Sequence, residues 1–209
     1  MKNKLTGKPL IWLVFASALF GISIDIQNKM ADSGFLEALS TFKFFTLQSN
    51  LLVLIFAGLT ILGGKKSTNN VMQFSLGPIT SYIVLTGVVY LVILEPIYEL
   101  YGMERVASVL LHYVTPPLML LYWVFNEKRR YTFAEFPKWL VYPVLFMVWG
   151  IARAVFAEDY LYPFFDTGQY GYFIAFYLFL VALGFSCMVM IFIFVNNFYM
   201  TPYTLKKGK

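Results

Sequence analysis

Apolar residues fall into six long runs, separated by short polar or Gly/Pro-marked stretches. The runs are Leu10–Ile26, Phe44–Leu62, Met72–Leu94, Val106–Phe125, Trp139–Phe156 and Tyr170–Phe198. Each approaches or exceeds the roughly 20 residues that carry a helix across a bilayer. Gly63-Gly64 ends the second run, Glu95-Pro96 the third, and Gly77-Pro78 and Pro116-Pro117 interrupt the third and fourth. None alternates apolar and polar with period two, so strands of a membrane barrel are excluded. The pattern predicts an all-α, polytopic membrane protein: a six-transmembrane-helix bundle forming one domain over residues 1–209. Between the first two runs, Phe35, Leu36, Leu39 and Phe42 give the segment Ala31–Lys43 the spacing of a short amphipathic helix lying at the interface.

Composition agrees. Hydrophobic residues make up 59% of the chain and charged residues 13%, about half the charge of ordinary soluble domains. The net charge of +5 would suit a nucleic-acid partner, but its distribution points to topology instead. With the N-terminus inside, the inner segments hold Lys2, Lys4, Lys8, Lys65, Lys66, Lys128, Arg129, Arg130, Lys138, Lys206, Lys207 and Lys209, and the outer side keeps Lys29, Lys43, Arg105 and Arg153. Twelve basic residues against four is a positive-inside signature, expected for a bacterial cytoplasmic membrane with both termini cytoplasmic. The first run is read as an uncleaved span rather than a signal peptide. One cysteine, Cys187, and one histidine, His112, exclude an internal disulfide and multi-cysteine or bis-histidine metal centres. No metal and no cofactor is expected.

Ionisable and polar residues inside spans mark function by default, and here they gather toward one level. Asp25 closes the first span. Thr46, Gln48, Ser49 and Asn50 open the second, Glu95 ends the third, His112 lies in the outer half of the fourth, and Arg153 lies near the outer end of the fifth. At 1.5 Å per residue, Thr46 sits about 6 Å below Phe42 and His112 about 10 Å below Arg105. Helical phase puts Thr46, Ser49, Asn50 and Val53 on one face, with Gln48 off it. Ser108, His112 and Thr115 form a second stripe, and Tyr142, Phe146, Trp149 and Arg153 a third. Arg153 is expected to turn inward and pair with Asp25 or Glu95, because an unpaired cation at that depth is costly.

Three blocks then carry a resemblance: Phe42-Lys43-Phe44-Phe45-Thr46-Leu47-Gln48-Ser49-Asn50; His112-Tyr113-Val114-Thr115-Pro116-Pro117; and Tyr160-Leu161-Tyr162-Pro163-Phe164 followed by Gly168 and Gly171. In order and separation the chain resembles the bacterial branch of the androgen-inducible transmembrane hydrolase family, over about Leu10 to Phe198. Animal members hydrolyse fatty acid esters of hydroxy fatty acids with an intramembrane threonine and a histidine. The resemblance implies Thr46 as nucleophile and His112 as base. Ser49 stands where animal members carry an acid.

The chemistry expected from that pair is acyl transfer. A threonine hydroxyl attacks an ester only if a base takes its proton, and the base needs an orienting partner, for which Asp25 and Asn50 are the candidates. Arg153, Asn50 and Gln48 are the expected donors to a developing oxyanion. The expected partners are a lipid or acyl-ester substrate and membrane lipids, with no nucleic acid. Two other functions fit the same composition: a non-catalytic carrier or lipid-binding protein, and an acyltransferase using the same Thr/His pair.

Overall fold

A computed structural model describes residues 7–63, 70–162, 166 and 171–205. Lys2, Lys4, Lys65, Lys66, Lys206, Lys207 and Lys209 of the charge asymmetry, and Pro163, Phe164 and Gly168 of the third sequence block, lie outside the described residues. The fold is all-α, with no strand among the described residues. Six of its helices are long and apolar enough to cross a membrane, and the protein is a multi-pass membrane protein.

The chain forms two compact units, Met1–Glu127 and Lys128–Lys209. The first unit contains α1 (Gly7–Ser33), a short α2 (Phe35–Ser40), α3 (Phe45–Gly63), α4 (Asn70–Val89), α5 (Gly102–Ser108) and α6 (Thr115–Asn126). A π-helical turn, Tyr90–Leu94, finishes α4, and another, Val109–Val114, joins α5 to α6 into one long span. The second unit contains α7 (Phe136–Ala157) and α8 (Ile174–Leu205).

In the first unit α1 packs on α3, α5 and α6, and α4 packs on α3 and α6. Its buried positions include Ser17, Ser49, Asn50, Thr80, Ser81, Thr86, Ser108, His112 and Thr115, while large apolar side chains such as Trp12, Phe20 and Leu62 are exposed. Polar groups inward and apolar groups outward is the arrangement lipid demands, since hydroxyls and amides find partners only inside the bundle. Two glycines set the helix spacing. A methyl at Gly87 would stand 3.0 Å from the His112 carbonyl oxygen and 3.1 Å from a Pro116 ring carbon, and one at Gly21 would stand 2.8 Å from Leu111. Bare backbone there lets α4 and α1 approach the π turn that carries His112.

The connection between the first two spans differs from its expected form. Helix α1 continues to Ser33, and Gly34 (φ 87°) breaks it in a conformation that suits glycine. The amphipathic helix therefore starts at Phe35 and is followed by a 3-10 turn, Thr41–Lys43. Phe35, Leu36 and Leu39 are exposed, whereas Phe42 packs on the buried cluster of Ile22, Leu47 and Leu111.

In the second unit α7 packs on α8, and polar contacts fix the entry to α7. Arg129 donates to both Glu135 carboxylate oxygens at 2.7 Å, and Thr132 and Glu135 form a capping box at the entry to α7. Buried Asn196 of α8 accepts from the Tyr131 N–H at 2.8 Å and donates to the Arg129 carbonyl at 3.1 Å.

Candidate functional site

Thr46 is the second residue of α3, and His112 lies in the middle of the second π turn. Their side chains meet: Thr46 Oγ1 is 3.3 Å from His112 Nε2. His112 Nδ1 lies 3.0 Å from the Ser108 carbonyl oxygen. A carbonyl only accepts, so Nδ1 carries the proton and Nε2 presents a bare lone pair to the threonine hydroxyl. Tyr90 covers one face of the imidazole, with ring centroids 3.7 Å apart and planes 10° apart. His112 is 8% exposed, and the ring is held on three sides with no ion pair to it among the described residues.

Proline chemistry explains why the chain widens there. Pro116 and Pro117 have no N–H and clash with carbonyls four residues back, those of His112 and Tyr113. The Thr115 N–H instead reaches the Leu110 carbonyl, one residue further than in an α-helix. The Leu111 carbonyl then has no donor in its own helix, since Thr115 is committed and Pro116 has none. Asn50, fully buried, fills the gap: its Nδ2 donates to the Leu111 carbonyl at 3.3 Å and to the Thr46 carbonyl at 2.9 Å. One amide therefore ties the segment carrying Thr46 to the segment carrying His112. The first π turn has the same origin. Glu95 N–H reaches back five residues to the Tyr90 carbonyl at 2.7 Å, immediately before Pro96.

The remaining polar residues have definite places. Ser49 donates to the Thr46 carbonyl and shares a 3.0 Å hydrogen bond with Thr86 of α4. Gln48 donates to the Phe42 carbonyl at 2.9 Å. Thr115, expected on the His112 stripe, is carried off it by the wider π turn and pairs with Ser17 of α1 at 3.0 Å. Glu95 accepts from Arg105 at 2.6 Å. Burial pushes the Glu95 carboxyl up, but hydrogen bonding to Arg105, Tyr113 and Tyr90 outweighs it and holds the group below the usual glutamate range.

Two expectations need correction. Neither Asp25 nor Asn50 orients His112; the Ser108 backbone does, and no hydrogen bond links Asp25 to the pair among the described residues. Asn50 is not available as an oxyanion donor, because both its amide hydrogens go to carbonyls. For Arg153 the structure gives a local ion pair. Its partner is Asp159, and its guanidinium lies over the Trp149 ring at 5.2 Å. The reason is local: α7 ends on a left-handed Glu158 (φ 50°), and that turn brings Asp159 back to Arg153.

Tyr90 and Ser108 are the residues a sequence reading passes over. Tyr90 is apolar in pattern, and only the proline that follows its turn signals that the helix is irregular there. Ser108 shares the His112 stripe, but nothing in the spacing says that its carbonyl is the histidine's partner. No family model, curated protein or solved structure matches this chain.

Proposed function

We propose that the protein is an integral-membrane threonine-type hydrolase of lipid esters, with Thr46 as nucleophile and His112 as general base. The observation that carries this reading is the 3.3 Å approach of Thr46 Oγ1 to an Nε2 whose opposite nitrogen is fixed on the Ser108 carbonyl. That is hydrogen-bond reach for proton transfer, with the acceptor in the required tautomer. His112 takes the hydroxyl proton as Thr46 attacks the acyl carbonyl, and the alcohol leaves with that proton. Water then adds to the acyl-threonine, giving its proton to His112, and His112 returns it to Thr46 as the acid departs.

Location supports the assignment. Thr46 sits in the first turn of α3, where a helix has unpaired N–H groups and a positive dipole end, an environment that favours charge developing on the attacked oxygen. Beside the pair, Ile22, Leu47 and Leu111 form a buried apolar cluster suited to the first carbons of an acyl chain. The substrate class is fatty acid esters of hydroxy fatty acids or similar acyl esters, as the family resemblance implies. The basic-residue asymmetry of the sequence supports a bacterial cytoplasmic membrane with both termini in the cytoplasm. Reporter fusions after Lys66 and Asp166 should give opposite sides.

A fluorophosphonate probe tests the mechanism, since an activated nucleophile displaces fluoride and becomes phosphonylated. The wild-type protein in detergent should label on Thr46, and Thr46→Ala and His112→Ala should not. A wild type that binds an acyl ester but never labels is a carrier, and the hydrolase reading is then wrong.

A further inference from the structure

We infer that the ring face of Tyr90 is the electrostatic partner of the His112 imidazolium, taking the place that a buried carboxylate holds in a serine-type triad. The inference rests on the reading of Thr46 and His112 as a catalytic pair, and it makes Tyr90 a positioning residue that acts through the base.

The geometry of the two rings carries it. Their centroids are 3.7 Å apart and their planes 10° apart, a direct overlay rather than an offset stack. Two neutral aromatic rings avoid that arrangement because their negative faces repel, and they settle edge to face or offset, with centroids about 4.5–7 Å apart. Trp12 with Phe15, Phe45 with Tyr82 and Phe56 with Tyr122 meet edge to face at 6.1, 6.4 and 6.2 Å. A cation reverses the preference, since the negative ring face attracts positive charge set over it. The overlay therefore suits the charged form of His112 better than the neutral one. Other contacts hold the rings together before the charge forms. Ser108 Oγ donates to the Tyr90 hydroxyl at 2.7 Å, and the Ser108 carbonyl oxygen lies 3.0 Å from His112 Nδ1. Gly87, about one turn before Tyr90, leaves room for α4 to approach the His112 carbonyl.

Burial makes the overlay matter. When Nε2 takes the Thr46 proton, both ring nitrogens carry hydrogen and one positive charge spreads over the imidazolium. Its Nδ1–H stays on the Ser108 carbonyl and its Nε2–H faces the threonine oxygen, so the Tyr90 face receives the charge of the ring itself. Tyr90, Ser108 and His112 are all buried, and no ion pair to His112 is present among the described residues. A cation–π contact is strongest where water is kept from the cation. The ring supplies this attraction; the Tyr90 hydroxyl only helps to hold it in place.

The experiment uses the full chain in detergent with ¹⁵N-labelled histidine; His112 is the one histidine of the sequence, so a single imidazole is read. Tyr90 is replaced in turn by phenylalanine, difluorophenylalanine and pentafluorophenylalanine, rings of similar shape whose faces lose negative charge with each added fluorine. Tyr90→Phe should label with the fluorophosphonate within about twofold of wild type, because phenylalanine offers a comparable face. From phenylalanine to its pentafluoro analogue labelling should slow in steps by about thirtyfold in all, the size of a desolvated cation–π contact expressed as a rate. At one fixed acid pH the protonated fraction of His112, read from its ¹⁵N signals, should fall in the same order. A ring that only fills space would move neither readout. In a protein that labels, a flat series in either readout would overturn the inference. Should the pentafluoro protein fail to fold, the step from phenylalanine to difluorophenylalanine carries the test. A wild type that never labels removes the hydrolase reading, and the protonated fraction then decides the ring contact alone.

Discussion

Asn50 offers the sharpest test of how the site is held. It is fully buried, and its Nδ2 bridges the Thr46 and Leu111 carbonyls at 2.9 and 3.3 Å. Each such hydrogen bond contributes about 0.5–1.5 kcal/mol net, so Asn50→Ala should cost about 1–3 kcal/mol, plus a smaller amount for the void it leaves. Asn50→Leu fills that void, and both variants remove Oδ1, which is buried without a hydrogen bond among the described residues. Removing an unpaired acceptor should recover about 1 kcal/mol in each, so the filled void alone sets Leu above Ala. Asn50→Asp should be the worst at a pH high enough to ionise it, because a carboxylate then faces two carbonyl oxygens in place of a donor. The order of stability is therefore wild type, Leu, Ala, Asp.

Thermal unfolding in detergent measures the order; about 1 kcal/mol corresponds to roughly 2–4 °C for a chain of this size. Labelling of Thr46 should fall in all three variants at a temperature where each remains folded, since displacement of reacting groups by about 1 Å costs up to 100-fold. An Asn50→Leu protein as stable as wild type and labelling as fast would mean that no donor is needed between the two segments, and the account of the site would fail.

Gly87→Ala should destabilise by about 1–3 kcal/mol, the usual cost of overpacking, because its methyl would meet a carbonyl oxygen and a proline ring at 3.0–3.1 Å; unchanged unfolding refutes the close approach of α4. Glu95 titrates below its ordinary value in the folded state, so its contribution is complete above the unfolded pKa of about 4.3 and is lost as pH falls through the lower folded value. Glu95→Gln should flatten that part of the acid-side fall in Tm, and identical acid profiles for the two proteins would remove the ion pair as its source. Arg153→Lys should lower stability by less than about 1 kcal/mol, the combined scale of a part-exposed ion pair and a cation–π contact; a larger loss in calorimetry would show that Arg153 does more than cap α7.

The six spans were legible because membrane helices advertise themselves by length and apolarity, and the helix bounds differ from the runs mainly by added polar turns such as Gln27–Ser33. That Thr46 and His112 meet was legible by depth. Their supports were not, for two reasons. A backbone carbonyl carries no sequence signature, so the partner of His112 Nδ1 could not be read from residue types. Helical phase also assumes 3.6 residues per turn, and the π turn at Val109–Val114 breaks that assumption just where the stripe Ser108–His112–Thr115 relied on it. The local partner of Arg153 was hidden for another reason. A capping turn supplied Asp159 from six residues away, and depth arguments compare helices without seeing such local returns.

Proline placement and the geometry of the site are one problem. In a bilayer interior every carbonyl released from the helical ladder must be answered from elsewhere. Pro116 and Pro117 release carbonyls around His112, and Pro96 does the same below Tyr90. The π turns answer some of them by lengthening hydrogen bonds to five residues, and Asn50 answers another from a different helix. The wide turns place Tyr90 flat against His112, and Asn50 holds the α3 segment against the histidine's own. Restoring an ordinary helix by removing the prolines would satisfy the carbonyls internally and leave Asn50 without its second acceptor. Pro116→Ala with Pro117→Ala should therefore keep or raise the Tm while lowering Thr46 labelling, a separation of stability from reactivity that a merely structural role for the prolines would not produce.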